Sequence, residues 1–144
     1  MKILFYTFLV VFSINTMDKC ERENPDENVI NLGDIIDLQL EKTAKIKSED
    51  LSITFESIAD SRCPTGVNCI QAGKAKASLK VKKGDSEETI ELESKGMCES
   101  DDGSCGSGGM VHGYTIKLIN IFPYPSEPKP ADAKPVTAKL VISK

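Results

Sequence analysis

The chain has 144 residues, 28% of them charged, with a formal net charge of −4, five cysteines and no tryptophan. This length fits one domain, because single domains most often have about 100–150 residues. The acidic balance and the presence of only two arginines, Arg22 and Arg62, argue against a nucleic-acid partner, since a phosphate-binding surface needs clustered Lys and Arg.

An apolar segment opens the chain. Lys2 is followed by a run without charged residues that ends at Met17. This run is shorter than the ~20 apolar residues that a transmembrane helix needs, and it has the pattern of a secretory signal. We therefore predict a signal peptide over residues 1–19 and export from the cytoplasm. An uncleaved membrane anchor is the alternative.

Cys20 lies at the distance from this segment at which bacterial lipoproteins carry their lipid, although Asp18 and Lys19 differ from the small uncharged residues that normally precede such a cysteine. Residues 20–28 are polar and suit a tether. We predict acylation of Cys20, with palmitate among the chains, because stable anchoring needs more than one acyl chain. Ordinary secretion, with Cys20 as an unpaired thiol, is the alternative. Loss of residues 1–19 removes two lysines and one aspartate and leaves a net charge of −5.

Residues 29–144 are predicted to form a single domain in which apolar and polar residues alternate with a period of two. Lys83-Gly84-Asp85 predicts a hairpin turn. A phase slip over residues 118–121 predicts a β-bulge or a strand buried on both faces. We predict an all-β fold, an antiparallel β-sandwich of immunoglobulin-like size with six or seven strands. The alternating segments cover residues 34–40, 51–56, 74–82, 89–93, 114–121 and 136–143.

Four cysteines form two close pairs, Cys63 with Cys69 and Cys98 with Cys105. In an oxidising compartment such pairs are expected to form disulfides. The second pair lies in a loop, residues 96–109, that is predicted to be solvated because it is polar and rich in glycine. The first bridge is predicted to fix a connection between strands.

Two segments are candidates for contact with a partner. One is the loop between the first two cysteines, with Pro64, Thr65, Val67 and Asn68, because a loop held rigid by a bridge loses little entropy on binding. Proteinase inhibitors present such loops. The other is the pair Phe122 and Tyr124 in the proline-rich connection 122–130. The favoured interpretation there is that the aromatic residues fold back to cap one end of the sandwich, and contact with a partner is the alternative to it. The partner is predicted to be a protein or a glycan.

Catalysis and metal binding are weakly supported. His112 is the only histidine, so a Ser-His-Asp relay would depend on one glycine-rich loop. Cys98, Cys105 and His112 are evenly spaced, with six residues between neighbours, but structural zinc sites prefer closer pairs. We predict no enzyme, no metal and no cofactor, with an enzyme or metal protein that uses residues 98–112 as an alternative.

The segment Asp60-Ser61-Arg62-Cys63-Pro64, followed by Cys69 and by Ala72-Gly73, resembles a group of small bacterial exported proteins and lipoproteins with a D-S-R-C-P and C-x-W-A-G signature and no established activity. Gln71 stands where the group has Trp. The resemblance implies an exported β domain and supplies no catalytic or binding residue. The combined prediction is a lipid-anchored cell-envelope protein that acts as a binding or structural module. A secreted inhibitor that presents the Cys63–Cys69 loop is the main alternative.

Overall fold

The computed structural model describes residues 28–98 and 100–144. The predicted signal peptide, Cys20 and the tether lie outside the described residues, except Asn28, which begins the first strand. Within the described part of the chain, no helix is long and apolar enough to cross a bilayer.

The described chain forms two packed β-sheets. One has the strand order β1-β3-β4-β5-β6 and the other β2-β9-β8-β7, and every pairing is antiparallel except that of β1 with β3. A single 3₁₀ turn covers Lys47–Glu49. The strands are β1 Asn28–Val29, β2 Ile35–Gln39, β3 Thr43–Ile46, β4 Leu51–Asp60, β5 Lys74–Lys83, β6 Ser86–Lys95, β7 Gly108–Val111, β8 Tyr114–Phe122 and β9 Thr137–Ser143.

The predicted all-β sandwich is confirmed, with nine strands among the described residues in place of six or seven. The three additional strands, β1, β3 and β7, have only two to four residues each. Such short segments carry too few alternations to stand out in the sequence. The long strands also extend beyond the predicted ranges, since β4 continues to Asp60 and β6 begins at Ser86.

The core lies between the two sheets and is built from the inward residues of the alternating strands. In β5, Ala75, Ala77, Leu79 and Val81 are completely buried, while Lys74, Lys76, Lys80 and Lys82 alternate with them on the outer face. Burial of apolar surface stabilises the fold by about 25 cal/mol per Å². The facing sheet contributes Leu38, Ile116, Leu118, Leu140 and Ile142 to the same core.

The predicted hairpin turn and phase slip are both present. Gly84, between β5 and β6, has a φ of 56°, which glycine adopts without steric cost. The register of β8 against β9 shifts between Leu118 and Asn120, as expected for a bulge. Ile119 and Asn120 are both buried, so this part of β8 is also covered on both faces.

Most of the described residues of the loop 96–109 are exposed or half-buried, as its composition predicts, but parts of its backbone pack against the sandwich. Cys105 is completely buried, and the backbone N–H of Lys95 donates to its carbonyl at 2.9 Å. A Cβ on Gly106 would lie 1.9 Å from the carbonyl oxygen of Leu118. Glycine here allows the loop backbone to pack directly on β8, where the carbonyl of Cys98 accepts a hydrogen bond from the side-chain amide of Asn120.

Candidate functional site

Both predicted disulfides are formed, Cys63–Cys69 and Cys98–Cys105, with Cα–Cα distances of 5.9 and 5.6 Å. They lie at the same end of the sandwich, where β4 ends and β6 ends. The N–H of Gly96 donates to the carbonyl of Gly73 at 3.0 Å and so joins the segments that follow the two strands. The prediction that the first bridge fixes a connection between strands agrees with its position between β4 and β5.

Arg62 connects the segments that meet at this end of the molecule. Its side chain is completely buried, and its guanidinium forms a two-pronged pair with Asp60, with a shortest N–O distance of 2.6 Å. It also donates to the carbonyls of Ile121 at 2.8 Å and Pro123 at 3.3 Å. Arginine suits this position because its fixed fork of donors serves several acceptors at once. Arg62 therefore forms a local ion pair with Asp60 and also holds a segment about 60 residues away.

Tyr124 lies directly over Arg62. The guanidinium carbon is 4.7 Å from the centre of the ring, and the Tyr124 hydroxyl accepts the backbone N–H of Met97 at 2.6 Å. A cation over an aromatic face is attracted by the negative charge of that face. The half-buried ring is thus fixed both at its face and at its hydroxyl group.

The proline-rich connection pairs with the disulfide-closed loop. The N–H of Thr65 donates to the carbonyl of Pro125 at 2.9 Å, and the N–H of Glu127 donates to the carbonyl of Thr65 at 3.0 Å. A Cβ on Gly66 would lie 2.7 Å from the carbonyl oxygen of Glu127, so glycine permits this approach. The two predicted contact segments therefore form one continuous structure.

Their junction forms the surface that we call the end surface, a hollow of about 480 Å³ with Pro64, Thr65, Val67, Met97 and Tyr124 among its lining residues. Val67 is 44% exposed and Met97 64% exposed. Asn68, on the same loop, is exposed but does not line the hollow. The sequence did not indicate Met97, although an apolar residue next to a cysteine in a polar loop was a visible signal.

Phe122 lies apart from the end surface, on the other side of Tyr124. It lines two adjoining hollows of about 600 and 370 Å³ that share Gln39, Phe122 and Thr137, and we call their union the Phe122 groove. Tyr124 lines both the end surface and the groove. The predicted fold-back of aromatic residues onto the sandwich is thus present for Tyr124, which also borders two concave surfaces.

The residues proposed for metal binding do not form a site. Cys98 and Cys105 are bonded to each other, so neither offers a thiolate. His112 occupies the β7–β8 turn at the start of β8, whereas the disulfides lie near its other end. Among the described residues, no three His, Cys, Asp or Glu side chains are grouped as metal ligands would be. The Nε2 atom of His112 is buried and has no hydrogen-bond partner there.

Lys74, Lys76 and Lys80 of β5 lie on an outer face where carboxylates pair with them. Lys74 pairs with Glu93 at 2.8 Å and Lys80 pairs with Glu56 at 2.6 Å. The hydrogen bond from Lys74 lowers the pKa of Glu93, and the hydrogen bond to Glu56 raises the pKa of Lys80. Because charges of both signs alternate on this face, it lacks the single-sign character of a phosphate-binding surface.

Comparison of this chain with protein-family models, curated proteins and solved structures gives no match. The resemblance carried by the Cys63 segment therefore stays a prediction. At the position where that group has Trp, Gln71 is exposed, and the neighbouring Ile70 is fully exposed. These two side chains extend the exposed apolar and polar surface next to the first disulfide.

Proposed function

We propose that the protein is an exported, lipid-anchored module of the cell envelope that binds a partner protein through the end surface and has no catalytic role. The observation that most supports this proposal is that the Cys63–Cys69 loop and the proline-rich connection, which are distant in sequence, meet in one surface with a fixed backbone. Val67 and Met97 remain exposed there, although the structure around them is held by disulfides and by Arg62, and Ile70, which follows Cys69 in the chain, is exposed as well. Exposed apolar patches of this kind mark interaction sites.

The bracing is what makes this surface suited to binding. Ordering a loop on association costs about 0.5–1.5 kcal/mol for each immobilised side chain, and a preorganised loop avoids part of this cost. Here the Cys63–Cys69 bridge and the two backbone bonds of Thr65 fix the loop before any partner arrives. Export and a lipid on Cys20 are both proposed from the sequence, and the two disulfides support export alone, since such bridges persist in oxidising compartments.

The inhibitor alternative receives less support from the same geometry. A protease holds an inhibitor loop in an extended form and pairs with its backbone groups. Both backbone groups of Thr65 are already used by Pro125 and Glu127. The loop is therefore better suited to contact through its side chains than to pairing through its backbone at Thr65.

Site-specific photo-crosslinking tests this proposal. A photoreactive residue replaces Val67 in the full-length chain, made in a bacterium that exports it, and a second variant carries the same residue at Thr89 on the outer face of β6. We expect a discrete crosslinked protein from position 67 that is absent from position 89 and is lost when Met97→Asp is added. No product at 67, or the same products at both positions, would contradict the proposal.

A further inference from the structure

The Phe122 groove has a floor, a wall and an end that come from different parts of the chain. The floor is the outer face of the four-stranded sheet, where Gln39 of β2, Thr137 of β9 and Phe122 of β8 form one row across the strands. The wall is the Cys98–Cys105 loop, from which Asp101 reaches Lys139 at 2.9 Å. Lys134, Pro135 and Tyr124 close the end.

The second row of the floor places charges of opposite sign side by side. Asp37 and Lys139 are register partners on β2 and β9, and Asp101 approaches the same lysine from above. The hydrogen bond to Asp101 raises the pKa of Lys139, so the ammonium group stays charged at neutral pH. With Lys134 at the end of the groove, two acidic groups face two basic ones, and the lining has no net charge.

This balance limits what the groove can hold. An anion would meet Asp37 and Asp101, and a cation would meet the two lysines, so neither gains net attraction. A purely apolar ligand would desolvate the Asp101–Lys139 pair without replacing its hydrogen bonds, which is costly for buried polar groups. A neutral ligand rich in hydroxyl groups avoids both penalties, because hydroxyls donate to carboxylates and accept from ammonium and amide groups.

The aromatic residues add a second requirement. Phe122 lies in the floor with the ammonium of Lys139 at 5.2 Å from its ring centre, and Tyr124 is fixed by Arg62 and by the N–H of Met97. Fixed aromatic rings beside convergent polar groups are typical of ligand sites, and a combined volume of several hundred Å³ lies in the usual range of about 300–1,000 Å³. Such rings offer a flat apolar surface to a ligand with C–H groups on one face.

We infer that the Phe122 groove is a binding site for a neutral saccharide. The ligand's hydroxyl groups would bond to Asp37, Gln39 and Lys139, and its C–H face would pack on Phe122 or Tyr124. A pyranose ring carries both features at once, whereas a proline-rich peptide presents apolar rings without the hydroxyl groups. The inference is independent of the proposed partner at the end surface, because the two surfaces share only Tyr124.

Titration of the isotope-labelled, full-length, disulfide-bonded chain with neutral tetrasaccharides tests the inference. The probes are cellotetraose, maltotetraose, mannotetraose and chitotetraose, and the readout is the shift of backbone amide resonances in NMR spectra. We expect saturable shifts centred on Gln39, Phe122 and Thr137 with at least one probe. Gln39→Ala should weaken this binding by at least fivefold, and Phe122→Ala by about tenfold through loss of the stacking surface.

Met97→Asp provides the matched control, because Met97 lines the end surface and not the groove. It should abolish the crosslink from position 67 and leave saccharide binding unchanged, so that failure of one proposal is distinguished from failure of the other. Gln39 is exposed, so its substitution by alanine leaves the core intact. The inference is overturned if none of the four probes produces saturable shifts in the groove, or if decaproline produces them and the saccharides do not.

Discussion

Asp60→Asn tests the role of the buried guanidinium most sharply. The substitution keeps the size of the side chain and removes its negative charge, which leaves the completely buried Arg62 without a counter-ion. Breaking a buried ion pair in this way costs about 3–5 kcal/mol. Because the Asp60 side chain is 26% exposed, water screens part of the pair, and we expect a loss of about 3 kcal/mol in the free energy of unfolding.

Arg62→Met provides the second arm of a double-mutant cycle. It removes the buried charge itself and leaves the carbonyls of Ile121 and Pro123 without this donor. An unsatisfied buried acceptor costs about 1–3 kcal/mol, so we expect a loss of about 2 kcal/mol. The double variant should lose about the same as Arg62→Met alone, because the amide introduced at position 60 no longer faces a buried cation.

Denaturant unfolding of the oxidised protein measures these differences. The control is Lys80→Met, which breaks the equally short pair with Glu56 on the exposed outer face and should leave stability nearly unchanged. Additive losses in the double variant would refute the reasoning, since they would mean that Asp60 and Arg62 act independently. A loss from Asp60→Asn no larger than that from Lys80→Met would refute it as well.

Three further predictions concern the same end of the molecule. Replacing Cys63 and Cys69 together by serine should lower the free energy of unfolding by about 2 kcal/mol, the loop-closure value for a bridge this short, as measured by denaturant titration. Gly96→Ala should destabilise the protein far more than Gly108→Ala in thermal unfolding. At position 96 the new Cβ would lie 1.8 Å from the backbone oxygen of Ala72, whereas at position 108 it would make only ordinary van der Waals contact. Hydrogen bonds from Ser104 and Ser100 lower the pKa of Asp102 from 3.8 to about 2. The ionised carboxylate therefore contributes fully to stability above pH 4, and this contribution is lost as the pH falls toward 2. Asp102→Asn should flatten that part of the curve of unfolding free energy against pH.

The regular part of the fold could be predicted from the sequence because alternation in a half-buried strand depends only on neighbouring residues. Lys74–Lys83 shows this best, since Ala75, Ala77, Leu79 and Val81 face the core and the lysines that alternate with them lie on the outer face. Gly84 likewise indicated its turn through local conformational preference. The short strands β3 and β7 lacked enough residues to show a period.

The candidate site depends on long-range contacts that no local pattern contains. Arg62 and Ile121 are 59 residues apart in the chain, yet their hydrogen bond fixes how the proline-rich connection meets the first disulfide loop. Composition indicated the exposure of residues 96–109 but not the points at which their backbone packs against the sandwich. Glycine at 96 and 106 serves close backbone packing, a role that only the neighbouring backbone of Ala72 and Leu118 reveals.

The central proposal is an exported module that is anchored through Cys20 and closed by two bridges. Intact-mass spectrometry tests it most directly. The full-length gene product is purified from the membranes of a bacterium that produces it, and its thiols are alkylated before and after reduction. The account predicts an N-terminal Cys20 that carries acyl chains and four alkylation sites that appear only on reduction. An unmodified Cys20, or Cys98 and Cys105 alkylated before reduction, would contradict it.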